Sequence, residues 1–282
     1  MNPSQGWLLL LLVPLLVPAG FGIVLGIQFL AGALLGDRHW RGIGAAWLGE
    51  VGASMRTFLV AIPFFGRRAL RSTAGEHAPV VLVHGYFCNR AVWRPFFRHL
   101  AAAGHPVEAI DLKPTFTSID EHAATIGRAV AAAARGGRPV VLVGHSMGGL
   151  AIRAYLRAAG HAGVAGVITL GSPHRGTRAA ALGLSRSARQ MRRDSEWLAA
   201  LAAHEREAGL PPCSIILTAN DNMVYPQGEQ VLAEARVRRL DGVGHLDLVY
   251  EPLVWRLVEE EIGRIEARGA GSAAEDARAV AS

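Results

Sequence analysis

A chain of 282 residues suits one folded domain of about 200 residues plus appendages, and an apolar content of 51% supplies a substantial core. The net charge is +6, yet Lys113 is the only lysine and no Lys/Arg block interleaved with aromatics occurs, so no nucleic-acid partner is expected. Cys88 and Cys213 are too few for a disulfide framework or a zinc site, and no metal is expected.

In chain order, residues 1–36 come first, as a hydrophobic segment. From Trp7 to Gly36 no side chain is charged, and Gln28 is the only strongly polar one. That run exceeds the roughly 20 residues needed to cross a bilayer. Asp37, Arg38 and Arg41 stop it, with Trp7 and Trp40 placed as interfacial anchors. It lacks the basic start of a signal peptide and continues past the cleavage-like Ala31-Gly32-Ala33, so a retained membrane anchor is expected rather than a cleaved leader. Residues 37–77 form a basic juxtamembrane segment carrying Arg38, Arg41, Arg56, Arg67, Arg68 and Arg71. By the positive-inside rule these arginines are expected to place the domain that follows on the cytoplasmic side of an inner membrane, the periplasmic side being the alternative. Thr57 to Phe65 is apolar but too short to span, and reads as an interfacial or packed segment.

Residues 78–267 alternate strand-like runs with helical stretches, the mark of a mostly parallel α/β sheet flanked by helices. About six strands are predicted: Val80–His84, Val107–Leu112, Pro139–Gly144, Gly166–Leu170, Cys213–Ala219 and Ala235–Leu240. Ser118-x-x-Glu121 caps a helix that ends at Gly136-Gly137. Residues 174–211 form the longest insertion. Its Leu182, Leu184, Met191, Trp197, Leu198 and Leu201 fit amphipathic helices, either a lid over the site or a helix packed on the sheet. Residues 250–267 form a covering helix, and the Ala/Gly/Ser-rich tail 268–282 reads as disordered.

Gly144-His145-Ser146-Met147-Gly148 lies between an apolar strand and a helix, the setting that pushes a serine oxygen out at the tip of a sharp turn. A serine hydroxyl needs an imidazole to take its proton and a carboxylate to hold the imidazole's tautomer. Asp221 comes after one predicted strand and His245 after the last, so all three should meet on one rim of the sheet. Asp111, at the end of an earlier strand, is the rival acid. His84 is expected to tie down its own loop. One oxyanion donor is the amide of Met147, and Gly85 leaves the Tyr86 amide as the other.

Together with Val81-Leu82-Val83-His84-Gly85 and Gly171-Ser172-Pro173-His174-Arg175-Gly176-Thr177, the elbow resembles the bacterial lipases and esterases of the α/β-hydrolase fold. Asp221-Asn222-Met223-Val224-Tyr225-Pro226 and Gly244-His245-Leu246-Asp247 resemble that family's acid and histidine loops. The likeness covers residues 78–262. It implies Ser146 as nucleophile, Asp221 as acid, His245 as base and Tyr86 with Met147 as oxyanion donors. It also implies a carboxylic ester hydrolase working through an acyl-serine on a small-molecule or lipid ester, with no cofactor and no obligate protein partner. The rivals are an acyltransferase or thioesterase with the same triad and, in another class, a non-catalytic ligand-binding protein of this fold. In some secreted relatives the position of Asp247 binds calcium; no partner carboxylate precedes Asp221 here, and calcium is not expected. All five motifs lie beyond residue 78, so a chain begun near Ser72 should be soluble and active without the anchor.

Overall fold

The computed structural model describes residues 3–281, with side chains described for residues 16–269 and 271. Trp7, expected as an interfacial anchor, lies outside the described side chains, as does most of the tail.

Two helices precede the sheet. α1 runs Pro3–Leu35, and α2 runs Ile43–Met55 before continuing as a π-type helix through Arg56–Phe65. Both are long and apolar enough to cross a membrane by length and composition. They pair with each other, and the Trp47 indole N–H donates to the Gly22 carbonyl at 2.9 Å. In the Thr57–Phe65 stretch, Thr57 and Ala61 are buried while Phe58, Leu59, Val60 and Phe64 stay exposed, so one face packs and the other does not.

The sheet has seven strands in the order β1-β3-β2-β4-β5-β6-β7: β1 Leu70–Ser72, β2 Val80–Val83, β3 Val107–Ile110, β4 Val140–His145, β5 Val164–Leu170, β6 Cys213–Thr218 and β7 Arg236–Leu240. All neighbours are parallel except β1, which pairs antiparallel with β3. β1 is the strand the sequence does not announce. Three residues with Arg71 in the middle give no apolar run, and pairing with β3 alone defines it.

The inner strands read as unbroken apolar runs because both faces are covered. Val80 and Leu82 point to a core with Trp93, Phe96 and Val258, formed by α3 (Arg94–Ala102) and α8 (Pro252–Ala281). Val81 and Val83 point the other way, to Ile126 and Leu150 of α4 (Ala123–Ala133) and α5 (Met147–Ala159). Ala53 of α2 belongs to the first core, so the N-terminal segment is built into the packing.

The 174–211 insertion holds α6 (Arg186–Gln190) and α7 (Glu196–Ala208). α7 is a packed helix: Leu198 and Leu201 are buried, and Glu205 receives a bidentate Arg153 of α5 at 2.6 and 2.7 Å. Leu182 and Leu184, ahead of α6, are 90% and 84% exposed. The backbone of α8 stays helical to Ala281, where composition predicts a disordered tail from Arg268.

Candidate active site

The turn at Ser146 is made by one short stretch of chain closed against its neighbours. β4 is buried along its length and turns at Ser146, whose φ of 55° and ψ of −126° are unfavourable for a residue with a Cβ. A Cβ at Gly144 would lie 2.7 Å from the Gly149 nitrogen, and one at Gly148 would meet the Val83 carbonyl, so the turn closes only with glycine there. The Ser146 amide is anchored to the Leu170 carbonyl at 2.8 Å. Met147 opens α5, so the positive end of that helix faces the rim.

The loop after β2 presses on the same point. A Cβ at Gly85 would stand 2.8 Å from the Ser146 Cβ, which brings the Gly85-Tyr86 backbone against the serine. His84 pins this loop. Its Nδ1 pairs with the Gly85 carbonyl at 2.8 Å, and its Nε2 accepts the Leu112 amide at 3.0 Å. Burial pushes that imidazole down to about 4, so it stays neutral. Tyr86 meets Ser185 through its hydroxyl at 2.8 Å and packs with Phe87 and Phe116, joining the loop to the insertion. Phe87 and Phe116 are exposed, as are Leu182 and Leu184 of the insertion.

Across the rim, His245 Nδ1 lies 2.9 Å from an Asp221 carboxylate oxygen. The other oxygen accepts the amides of Met223 and Val224 at 2.8 and 2.6 Å, which aims the carboxylate at the ring. Asp111 is committed elsewhere: the Arg90 guanidinium and amide hold it at 2.9 and 2.8 Å. Burial raises the Asp111 carboxyl, but those Arg90 contacts outweigh it and the net shift is downward. Burial opposes protonation of His245, yet the Asp221 charge and hydrogen bond, with the charge of Glu50, leave its affinity for a proton above the ordinary imidazole value. Among the described residues no hydrogen bond links Ser146 Oγ to His245. Such bonds are often long before substrate binds. His145, next to the serine in the chain, packs on the base: its ring centroid is 4.8 Å from that of His245, and its Nε2 faces the His245 carbonyl at 3.0 Å.

The N-terminal helices supply residues that sequence reasoning left out. Asn222 donates to Gln28 Oε1 at 3.0 Å, and a Cβ at Gly32 would stand 2.9 Å from the Asp221 carbonyl, so α1 lies directly on the acid loop. The Gly228 amide reaches the Asp37 carboxylate at 2.5 Å, and the Asn220 side chain donates to the Arg41 carbonyl at 3.0 Å. Glu50 of α2 accepts the amides of Leu246 and Asp247 at 2.7 and 3.0 Å. Thr57 and the Tyr250 hydroxyl meet at 2.7 Å. A chain begun at Ser72 would lose all of these braces, which removes the ground for expecting it to act unaided. One signal was legible: Glu50 is the only acidic residue in the apolar stretch from Ile43 to Phe65. Asp247 turns its carboxylate toward Gly49 of α2, and burial and Glu251 push that carboxyl up to about 6. Among the described residues no group of three or more potential metal ligands is gathered.

A family model described as the alpha/beta hydrolase family matches residues 80–212, a little under half of the chain. A Bacillus licheniformis lipase in its mature form superposes with a TM-score of 0.60 at 17% identity, covering 67% of this chain and 96% of that one. The chain has the α/β-hydrolase fold. An Aspergillus fumigatus lipase B shares it with a TM-score of 0.57 at 20% identity, over 64% of this chain; the chain spans only 51% of that lipase's length. A Paleococcus ferrophilus monoacylglycerol lipase shares it with a TM-score of 0.52 at 17% identity, over 70% of this chain and 99% of that one. No curated protein sequence matches this chain. Within the α/β-hydrolase fold, the rim carrying Ser146, Asp221 and His245 is the C-terminal edge of the parallel strands, where ligands bind in open α/β sheets.

Proposed function

We propose that the protein is a membrane-anchored carboxylic ester hydrolase of lipase or esterase type. The observation that carries this reading is the 2.9 Å contact between Asp221 and His245 Nδ1 on the same rim as a serine held at positive φ. Ser146 Oγ attacks the ester carbonyl while His245 Nε2 takes its proton. Asp221 keeps the other ring nitrogen protonated and stabilises the imidazolium. The amides of Tyr86 and Met147 receive the developing oxyanion. His245 returns the proton to the leaving alcohol, and a water activated by the same base hydrolyses the acyl-serine. The substrate is a small-molecule or lipid ester, and no cofactor takes part.

The anchor is the part of α1 ahead of Gln28, because Gln28, Gly32 and the residues beyond lie on the acid loop. Residues 7–27 rise about 31 Å as a helix, enough for a hydrocarbon core of about 30 Å. The arginines after the anchor put the hydrolase on the cytoplasmic side. The segment Ile43–Phe65 lies against the hydrolase rather than across the bilayer, since Glu50 and Thr57 on it bind the histidine loop and Tyr250.

The full-length chain in detergent should hydrolyse p-nitrophenyl esters. In membranes it should resist both high-salt and alkaline washing, because hydrophobic transfer is not screened by salt. Failure to turn over any ester contradicts the activity, and release by salt contradicts the anchor.

A further inference from the structure

Glu50 is 3% exposed, on a helix outside the hydrolase sheet. One carboxylate oxygen takes both amides that come directly after His245. The residue directly before it, Gly244, is glycine where any side chain would collide: a Cβ there would stand 2.5 Å from Glu50 Oε2 and 3.0 Å from the Ala46 carbonyl. The His245 peptide itself is gripped by Asn222 Oδ1 on its N–H, at 3.2 Å, and by His145 Nε2 on its carbonyl, at 3.0 Å. Glu50 therefore closes the third side of the loop that carries the base.

Capping two amides needs only a carbonyl oxygen, which glutamine would bring without burying a charge. A buried carboxylate is expensive unless something answers it. Here the Leu246 and Asp247 amides answer part of that cost directly, and the charge on the neighbouring His245 lowers it further. We propose that Glu50 is a positioning residue of the active centre, fixing the His245 loop from α2 and supplying a second negative charge that stabilises the imidazolium formed during turnover. The inference rests on the ester-hydrolase reading for its kinetic part, and on the loop contacts with the mutual effect of the two charges for the rest.

The groups facing Glu50 and His245 are Asp221, His145, Asp247 with Glu251 behind it, and Cys88. Burial drives the Glu50 carboxyl up to about 7, and the His245 charge pulls it back. Each group's charge thus bears on the other's protonation. Removing the carboxylate leaves the imidazolium with Asp221 as its remaining stabilising charge, so the His245 proton should leave at lower pH.

The test compares full-length wild type, Glu50→Gln and Glu50→Ala in detergent. His245 ring titration is followed by NMR alongside p-nitrophenyl butyrate kinetics. Glu50→Gln retains a carbonyl acceptor and is expected to lose less than about tenfold in kcat, with KM within about twofold. Its His245 titration, and the acidic limb of kcat/KM, should move to lower pH. Glu50→Ala releases the loop and is expected to lose about 100-fold in kcat, the effect of a small misplacement of a catalytic group. An unmoved His245 titration in Glu50→Gln overturns the proposal, whether or not Glu50→Ala folds. So does a Glu50→Ala variant that folds and keeps wild-type kcat. A wild type that hydrolyses no ester defeats the activity reading separately, while the titration still decides whether Glu50 acts on His245.

Discussion

The two sides of the active rim are held in different ways. The serine side is built mainly from one continuous stretch, Val140 to Ala159, in which β4, a glycine-flanked turn and α5 follow each other, with neighbouring strands closing around it. The histidine side is assembled from afar. Asp221 and His245 sit on loops braced by Gln28, Asp37, Arg41 and Glu50, residues about 180 to 195 positions earlier in the chain. A nucleophile can be fixed by a strained local turn, because backbone torsions alone aim it. A base that must move a proton between two groups needs its loop held from outside. The first helix, α1, is part of what holds it.

The largest expected effect is on the serine side. Ser146→Ala should reduce kcat on p-nitrophenyl esters by about 10⁶ while leaving the fold intact, since one hydroxyl at a turn adds little packing. Circular dichroism and turnover, measured together, separate those two outcomes. Residual activity close to wild type would mean that the elbow does not carry the nucleophile.

Next comes the acid. Asp221→Asn should cost about 10⁴ in kcat by leaving the imidazole in the wrong tautomer. Asp111→Asn should cost far less in kcat and show mainly in Tm, because its partner is Arg90 rather than the imidazole. Reversed effects would assign the acid to the wrong strand.

The pH profile sharpens the contrast further. In the proposed role of base His245 works only when neutral, and its affinity for a proton is raised by Asp221 and Glu50. Activity should therefore fall on acidification already above the ordinary imidazole value of 6.5. A limb at or below that value would mean that the carboxylates do not act on the ring.

The smallest effect tests the brace from α1. Gly32→Ala places a Cβ 2.9 Å from the Asp221 carbonyl, a contact between helix and loop backbone that has to open. The expected cost is about 1–3 kcal/mol in stability, read from the thermal midpoint, with a loss of activity of less than about tenfold. A variant identical to wild type in both would show that α1 does not bear on the acid loop.

Much of this was legible in the chain, and the contrast between the two sides explains which parts were not. Five of the inner strands and the elbow are short-range signals: an apolar run buried on two faces, then glycines where a turn leaves no room for a Cβ. The Asp221 and His245 loops were legible as strand ends with the right residue types. β1 was not, because three residues around Arg71 gain their strand character only from β3. The braces were not legible either. Nothing in the spacing of Gln28, Asp37 or Glu50 shows which loop a distant helix will cover. Only the lone carboxylate in an apolar helix marks a place where burial demands a partner.

The central claim is that Ser146 is an activated nucleophile. Its most direct test is treatment of the full-length protein with a fluorophosphonate, then mass analysis of the labelled peptide. The expected result is one covalent adduct on Ser146, formed rapidly in wild type, slowed by Asp221→Asn and absent from Ser146→Ala. An unlabelled Ser146, or an adduct on another residue that survives Ser146→Ala, would contradict it.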